Sequence, residues 1–434
     1  MKSHVNSLPG PVEELRLLES SRRRLTLISA IALAAVLAWQ LPVGLAMSVG
    51  TPGVLAPPNV APITLTSPNA QAVGEFGWSV AISGKTAVVG AVFENGGAFG
   101  AGRAYTFASK TGVLGNTLTS RTPQKEGEFG YSVAVSGSVV VIGAPDEASG
   151  GLPSAGNVYI FNSKTDTWIT LTSPNAQAEG YFGDSVAISG KTVVVGAPAE
   201  TSNGVITAGN VYTFNAKTGK LLRTFDSPNP GYDGFFGYSV AINDTTMVVG
   251  APYQNYSATA AAGQAYIFNA KTGAEISGLG SPNPASNGHF GYSVAVGLDA
   301  VVVGAPYETA GGNVDAGHAY TFNPSTGSLV STLSSPNSQV FGLFGYSVAE
   351  GGSPVGTVVV GAPYESLGAG YTDAGRAYTF NAGTGALLST LTSPNAQAVG
   401  YFGYSVAISG KTMVVGAPYE TADTFGVAGH AYIY

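Results

Sequence analysis

The sequence predicts an all-β protein, a seven-bladed β-propeller of four-stranded antiparallel blades, and three observations carry that prediction. A Phe-Gly-aromatic-Ser-Val-Ala stretch recurs from Phe76, Phe129, Phe182, Phe236, Phe290, Phe344 and Phe402, with Asp184 replacing the aromatic in the third copy. A Gly-Ala-Pro triplet comes next at Gly143, Gly196, Gly250, Gly304, Gly361 and Gly416, with Gly90-Ala91-Val92 as the first-unit variant. Each unit also holds four short runs of β-branched or aromatic residues bounded by Gly, Pro or Asn, which is the signature of strands. Four strands repeated at a period near fifty residues read as the blades of a propeller.

Alternation along the first strand places Phe236, Tyr238, Val240 and Ile242 on one face and Gly237, Ser239 and Ala241 on the other, so a bulky face can pack on a small-residue face of the next blade. The serines of this strand, Ser79 to Ser405 in the seven copies, read as packing residues, because no His or acid repeats beside them to make a nucleophile. Ser83-Gly84-Lys85 and Ser409-Gly410-Lys411 are tight turns to the second strand, which ends on Gly-Ala-Pro. The third strand is Arg103-Ala104-Tyr105-Thr106-Phe107 or its equivalent, and Asn215-Ala216-Lys217-Thr218-Gly219 is the hairpin to a fourth such as Leu221-Leu222-Arg223-Thr224-Phe225. These hairpins speak against a parallel solenoid, whose strands need long crossovers. The last unit stops after its third strand at Tyr434, while an unmatched fourth strand, Ile63-Thr64-Leu65-Thr66, precedes the first unit. Pairing the two completes the last blade and removes a sheet edge.

Residues 1–46 read as a signal peptide or an N-terminal membrane anchor, 47–62 as a Pro-rich linker and 63–434 as the propeller. Arg22-Arg23-Arg24 precedes an uncharged run from Leu25 to Met47. Cleavage after Ala46 and a retained tether through 25–47 are both compatible with that pattern, and both export the propeller. A net charge of −7 with 10% charged residues leaves no basic footprint for nucleic acid. The absence of Cys excludes disulfides, thiol nucleophiles and Cys-ligated zinc.

The Phe-Gly and Gly-Ala-Pro motifs over residues 63–434 resemble the FG-GAP repeats of integrin alpha-chain heads and related bacterial and archaeal surface proteins. That resemblance implies a seven-bladed propeller used extracellularly for adhesion or ligand binding, with recognition on the loops of one face. Calcium is not carried over. The calcium-binding repeats of the family place Asp-x-Asp/Asn-x-Asp-Gly between the first two strands, where this chain has turns such as Ile82-Ser83-Gly84-Lys85-Thr86, and Asn243-Asp244 is the nearest thing to a ligand pair. No cofactor is expected.

Strand parity puts the tight turns on one rim and the long variable loops on the other, where binding residues concentrate. The long-loop rim repeats an acid after Gly-Ala-Pro, at Glu94, Glu147, Glu200, Glu308, Glu365 and Glu420, with Gln254 in the fourth unit; Tyr253, Tyr307, Tyr364 and Tyr419 precede four of these positions. The expectation is a rim of Tyr and exposed Glu that contacts an extracellular protein or glycan, by a chain that is not an enzyme. A structural envelope component and a carbohydrate-active enzyme with paired acids are the alternatives. His4, His289, His318 and His430 show no convergent zinc pattern. Asn243 and Asn255 head Asn-x-Ser/Thr sequences compatible with glycosylation of an exported chain.

Overall fold

The computed structural model describes residues 61–351 and 356–434. The expected signal or anchor and most of the linker lie outside the described residues. Seven four-stranded antiparallel sheets succeed one another along the chain, each in the order first, second, third, fourth strand. Blade 1 is Phe76–Ser83, Thr86–Ala91, Arg103–Ala108 and Leu114–Leu118, and blade 4 is Ser239–Ile242, Thr246–Ala251, Gln264–Asn269 and Glu275–Gly280. Blades 2, 3, 5 and 6 begin their first strands at Val133, Ser185, Ser293 and Ser347. Blade 7 takes three strands from 405–433 and its fourth from Ile63–Leu65, in the register Ile63↔Ile433, Thr64↔Tyr432, Leu65↔Ala431. The ring therefore closes by pairing the two ends of the propeller sequence. Each first strand packs against the first strands of both neighbouring blades, blade 7 against blade 1 included, so the first strands surround the axis.

The core lies between blades. Phe236, Val240, Met247, Val249, Tyr266 and Phe268 of blade 4 cluster with Val194, Val211 and Phe225 of blade 3. Two glycines permit this close approach. The Gly-Ala-Pro glycine Gly196 has no room for a side chain, since a Cβ there would lie 2.0 Å from the Gly237 carbonyl oxygen. Gly237 itself adopts φ +93°, in the region that glycine alone enters easily. The carbonyl so presented is bonded from across the interface: Ser185 Oγ donates to Gly237 O at 2.7 Å, and every first-strand serine repeats the contact. Ser405 donates to Gly77 O at 2.8 Å across the closure. The serines are thus hydrogen-bonded links between blades in addition to packing residues.

Gly237 also changes the expected parity. Regular pairing in blade 4 starts only at Ser239↔Gly250, and in blade 1 the register slips between Phe76 and Val80. The side chain two residues after each Phe consequently leaves the sheet face. Tyr238 stacks near Tyr253 and Tyr292 rather than joining Phe236 and Val240 in the core.

Candidate functional site

The predicted Tyr-Glu rim separates into two layers, because consecutive residues of the turn after Gly-Ala-Pro point in opposite directions. Glu94, Glu147, Glu200, Glu308, Glu365 and Glu420 are all 0% exposed, so the expectation of exposed carboxylates is corrected. Each accepts a hydrogen bond from the tyrosine hydroxyl of its own third strand, as from Tyr159 to Glu147, Tyr212 to Glu200 and Tyr320 to Glu308. A second donor enters from the start of that strand in four blades: Asn157 at 2.8 Å from Glu147, Asn210 at 2.9 Å from Glu200, His318 at 3.0 Å from Glu308 and Arg376 at 3.3 Å from Glu365, while His430 lies 3.0 Å from Glu420 without hydrogen-bond geometry. A serine after the fourth strand of the preceding blade completes the group, as Ser173 does at Glu200 and Ser281 at Glu308. In blade 4 the acid is Gln254 and its neighbour Gln264, and Tyr266 donates to Gln254 at 2.7 Å. Gln254 in turn donates to Ser227 Oγ at 2.7 Å, and Gln264 donates to the Asn255 carbonyl at 2.8 Å.

Buried carboxylates hold their protons more tightly. Burial pushes Glu94 up to about 7, against the opposing pull of Ser67, Tyr105 and Arg103. Burial also raises Glu147, Glu200 and Glu365, again partly offset by the donors around each. These glutamates tie blades together from inside and present no surface to a macromolecule.

The tyrosines of the same turns go to the axis. Tyr253, Tyr307, Tyr364 and Tyr419 are half-buried and each lies beside the aromatic that the bulge has displaced, with Tyr307 5.9 Å from Tyr292 and Tyr364 6.3 Å from Tyr346. The displaced residues form a ring of their own: Tyr238–Tyr292 5.1 Å, Tyr292–Tyr346 5.1 Å, Tyr346–Tyr404 5.0 Å, Tyr404–Trp78 4.8 Å and Trp78–Tyr131 5.6 Å. A third tier comes from the residue before each Phe-Gly. His289 sits between Tyr253 at 4.5 Å and Tyr307 at 5.1 Å, and Tyr401 between Tyr364 at 4.5 Å and Tyr419 at 4.9 Å. Burial lowers His289 to about 4, so it is neutral at pH 7, and its Nδ1 lies 3.1 Å from the Pro252 carbonyl. Burial also raises the Tyr292 and Tyr364 phenols well above the usual range, with neighbouring tyrosines adding to it. They remain uncharged donors.

One side of this mouth breaks the pattern. In blades 2 and 3 the partly exposed Asp146 and Asp184 take positions that carry aromatics in the later blades, while Glu75 and Glu128, the residues before Phe-Gly in blades 1 and 2, are buried. Sequence reasoning singles out Asp184 as an oddity and misses the ring it interrupts. The signal is present in the aromatic of the repeated Phe-Gly-aromatic-Ser stretch. A separate open cleft of about 370 Å³ lies on the same face, lined by Leu367, Tyr371 and Ser393–Ala396. Among the described residues no group of three His, Asp or Glu side chains is placed to hold a metal, and no helix is long and apolar enough to cross a membrane.

Comparison with known proteins agrees with this architecture. The FG-GAP repeat family matches residues 63–107, 116–161, 169–214, 231–268, 275–322 and 387–434. The first match runs from the closing strand to the third strand of blade 1, so the sequence repeat is offset from the blade by one strand. Blade 6, between the matches, carries the longer connection between Gly351 and Thr357. No curated protein matches the chain. Seven propeller blades, and matches over more than half of the sequence, place the chain in the FG-GAP repeat family.

Proposed function

We propose that the protein is an extracellular or cell-surface binding module of the adhesion type, which recognises a protein or glycan through the long-loop face. The observation that carries this reading is the axial mouth: a ring of aromatics from Tyr238 round to Tyr131, interrupted by the partly exposed Asp184 with Asp146 beside it in the neighbouring blade's turn, at the end where the loops are longest. Partly exposed rings on a rigid frame provide flat apolar area and hydroxyl donors at little entropic cost. The Asp146 and Asp184 carboxylates orient a ligand that brings hydroxyl or cationic groups. The family's fold is compatible with binding or adhesion, its repeats are typical of extracellular proteins, and the Arg22–Arg24 flank with its apolar run supports export. No catalytic role is assigned to the acids, since those that repeat are enclosed by their own donors.

The test is binding of the full chain to arrays of glycans and extracellular matrix proteins, with calcium and with chelator. Saturable binding that Tyr292→Ala and Asp184→Ala each weaken tenfold or more, with the thermal melt retained, supports the reading. Binding insensitive to both substitutions removes the axis as its seat.

A further inference from the structure

The two ends of the ring differ in charge as well as loop length. Lys85, Lys191 and Lys411 occupy turns between first and second strands, and Lys110, Lys164, Lys217, Lys220 and Lys271 occupy hairpins between third and fourth. Both sets project from the tight-turn end, and only Lys125 among the described lysines lies at the other. All eight are exposed, and none has a carboxylate within 4.0 Å among the described residues. They belong to blades 7, 1, 2, 3 and 4, a continuous sector. Carboxylates gather at the opposite end, leaving only Asp166, Asp244, Glu275, Asp299 and Glu350 on the lysine side.

Aliphatic side chains stand beside these lysines at the outer edge. Val113 is 63% and Leu114 41% exposed next to the Lys110 hairpin, and Leu222 is 48% exposed after Lys217 and Lys220. Ile276 is exposed after Lys271. Ammonium groups paired with accessible aliphatic residues suit a headgroup layer, where the charge meets phosphate and the hydrocarbon enters the boundary. A soluble polyanion uses only the first half of that chemistry.

The topology supplies an independent argument. Ile63–Leu65 is a fourth strand, and fourth strands run from the tight-turn end to the long-loop end. The polypeptide therefore enters the propeller on the lysine face, within the basic sector. The uncharged run Leu25–Met47 precedes that point by a linker of 47–62, whose extended reach is at most about 58 Å.

We propose that the basic tight-turn face of blades 7 to 4 docks on an anionic phospholipid surface, with the aromatic mouth turned outward. The two faces are opposite, so this orientation stands or falls separately from the ligand reading above.

The chain has no Cys, so single labels are clean. Thr111→Cys marks the tight-turn face and Thr309→Cys the long-loop face, both at exposed positions. The full chain is mixed with vesicles of phosphatidylcholine, with or without phosphatidylglycerol, carrying a headgroup acceptor dye. Energy transfer from position 111 well above that from 309, dependent on phosphatidylglycerol and lost in high salt, is the expected result. Replacing Lys110, Lys217, Lys220 and Lys271 by Gln lowers the charge-dependent partitioning at least about tenfold, with the melt unchanged. Equal transfer from both faces, transfer indifferent to lipid charge, or no association with anionic vesicles overturns the proposal. Binding to soluble heparin without approach to vesicles overturns the lipid assignment in favour of a polyanion.

Discussion

The buried glutamate layer and the axial aromatic mouth are built from adjacent residues of the same turns, yet they treat the sevenfold repeat differently. In the glutamate layer the pattern is kept in every blade, and where the acid becomes Gln254 its neighbour becomes Gln264 and the tyrosine bond survives. At the axis the pattern is broken on one side, by Asp146, Asp184 and Ala199. Repeats stay uniform where they hold the ring together and diverge where the surface is free to meet something else. Changes in the first layer should therefore cost stability, and changes in the second should alter binding at nearly constant stability.

The largest effect belongs to closure, on which the whole inner layer depends. Leu65 is 2% exposed and packs with Ile433 and Phe107. Deleting residues 62–66, or making Leu65→Asp, leaves an open three-stranded edge and breaks the Ser67 link to Tyr105. Loss of the single cooperative thermal transition is expected, and an unchanged calorimetric melt would show that the ring holds without its closing strand.

Next come substitutions within one glutamate group. Glu200→Leu strands the Tyr212, Asn210 and Ser173 donors in the interior and should cost about 2–4 kcal/mol. The double change Glu200→Gln with Asn210→Gln copies blade 4, and denaturant melts should find most of that loss restored. If the double variant is no better than Glu200→Leu, the blade 4 arrangement around Tyr266 is not a substitute for the acid.

Much of this division is legible in the sequence, and the part that is not has a definite cause. Repeat count, strand number, closure and the separation of long loops from tight turns all come from motif spacing and parity. Parity fails at Gly237 and its equivalents, because a glycine at positive φ introduces a bulge that no alternation rule registers. Alternation places Tyr238 in the core for that reason, and the axial ring of which it is part stays hidden. The glutamates are placed correctly along the chain but on the wrong side of the turn. Their burial depends on donors contributed by the third strand and by the preceding blade, contacts remote in sequence that charge alone argues against.

A smaller, pH-dependent effect arises in the same layer. Glu94 titrates at about 7 in the fold against 4.5 in an unfolded chain, Glu147, Glu200 and Glu365 are shifted in the same direction, and so is Glu350 at the opposite, tight-turn end. The folded state then binds more protons, so stability falls as pH rises from about 4.5 to 7. His289, lowered to about 4, acts oppositely and loses its contribution as pH falls below 6.5. Several acids outweigh one histidine, and Glu94 alone is worth about 1–2 kcal/mol between pH 5.5 and pH 8. The melting temperature should be higher at pH 5.5, and Glu94→Gln should flatten the profile.

The smallest effect on stability should come from the substitution that most directly separates the two layers. Asp184 interrupts the aromatic ring between Tyr131 and Tyr238, and it is partly exposed at the axis rather than enclosed in a blade. Asp184→Tyr restores the residue type of five other blades, at a backbone position whose equivalents all accept a large ring. Asp184 belongs to no hydrophobic cluster between blades, so the melt should move by no more than about 1 kcal/mol in either direction. The mouth, however, loses a partly exposed carboxylate and gains a ring where a ligand would enter. Binding to whichever protein or glycan the array identifies should weaken at least tenfold, most of it through faster dissociation. A variant that melts normally and still binds at full strength would make the break in symmetry at blade 3 neutral, and the contrast between a uniform interior and a divergent mouth would lose its functional meaning.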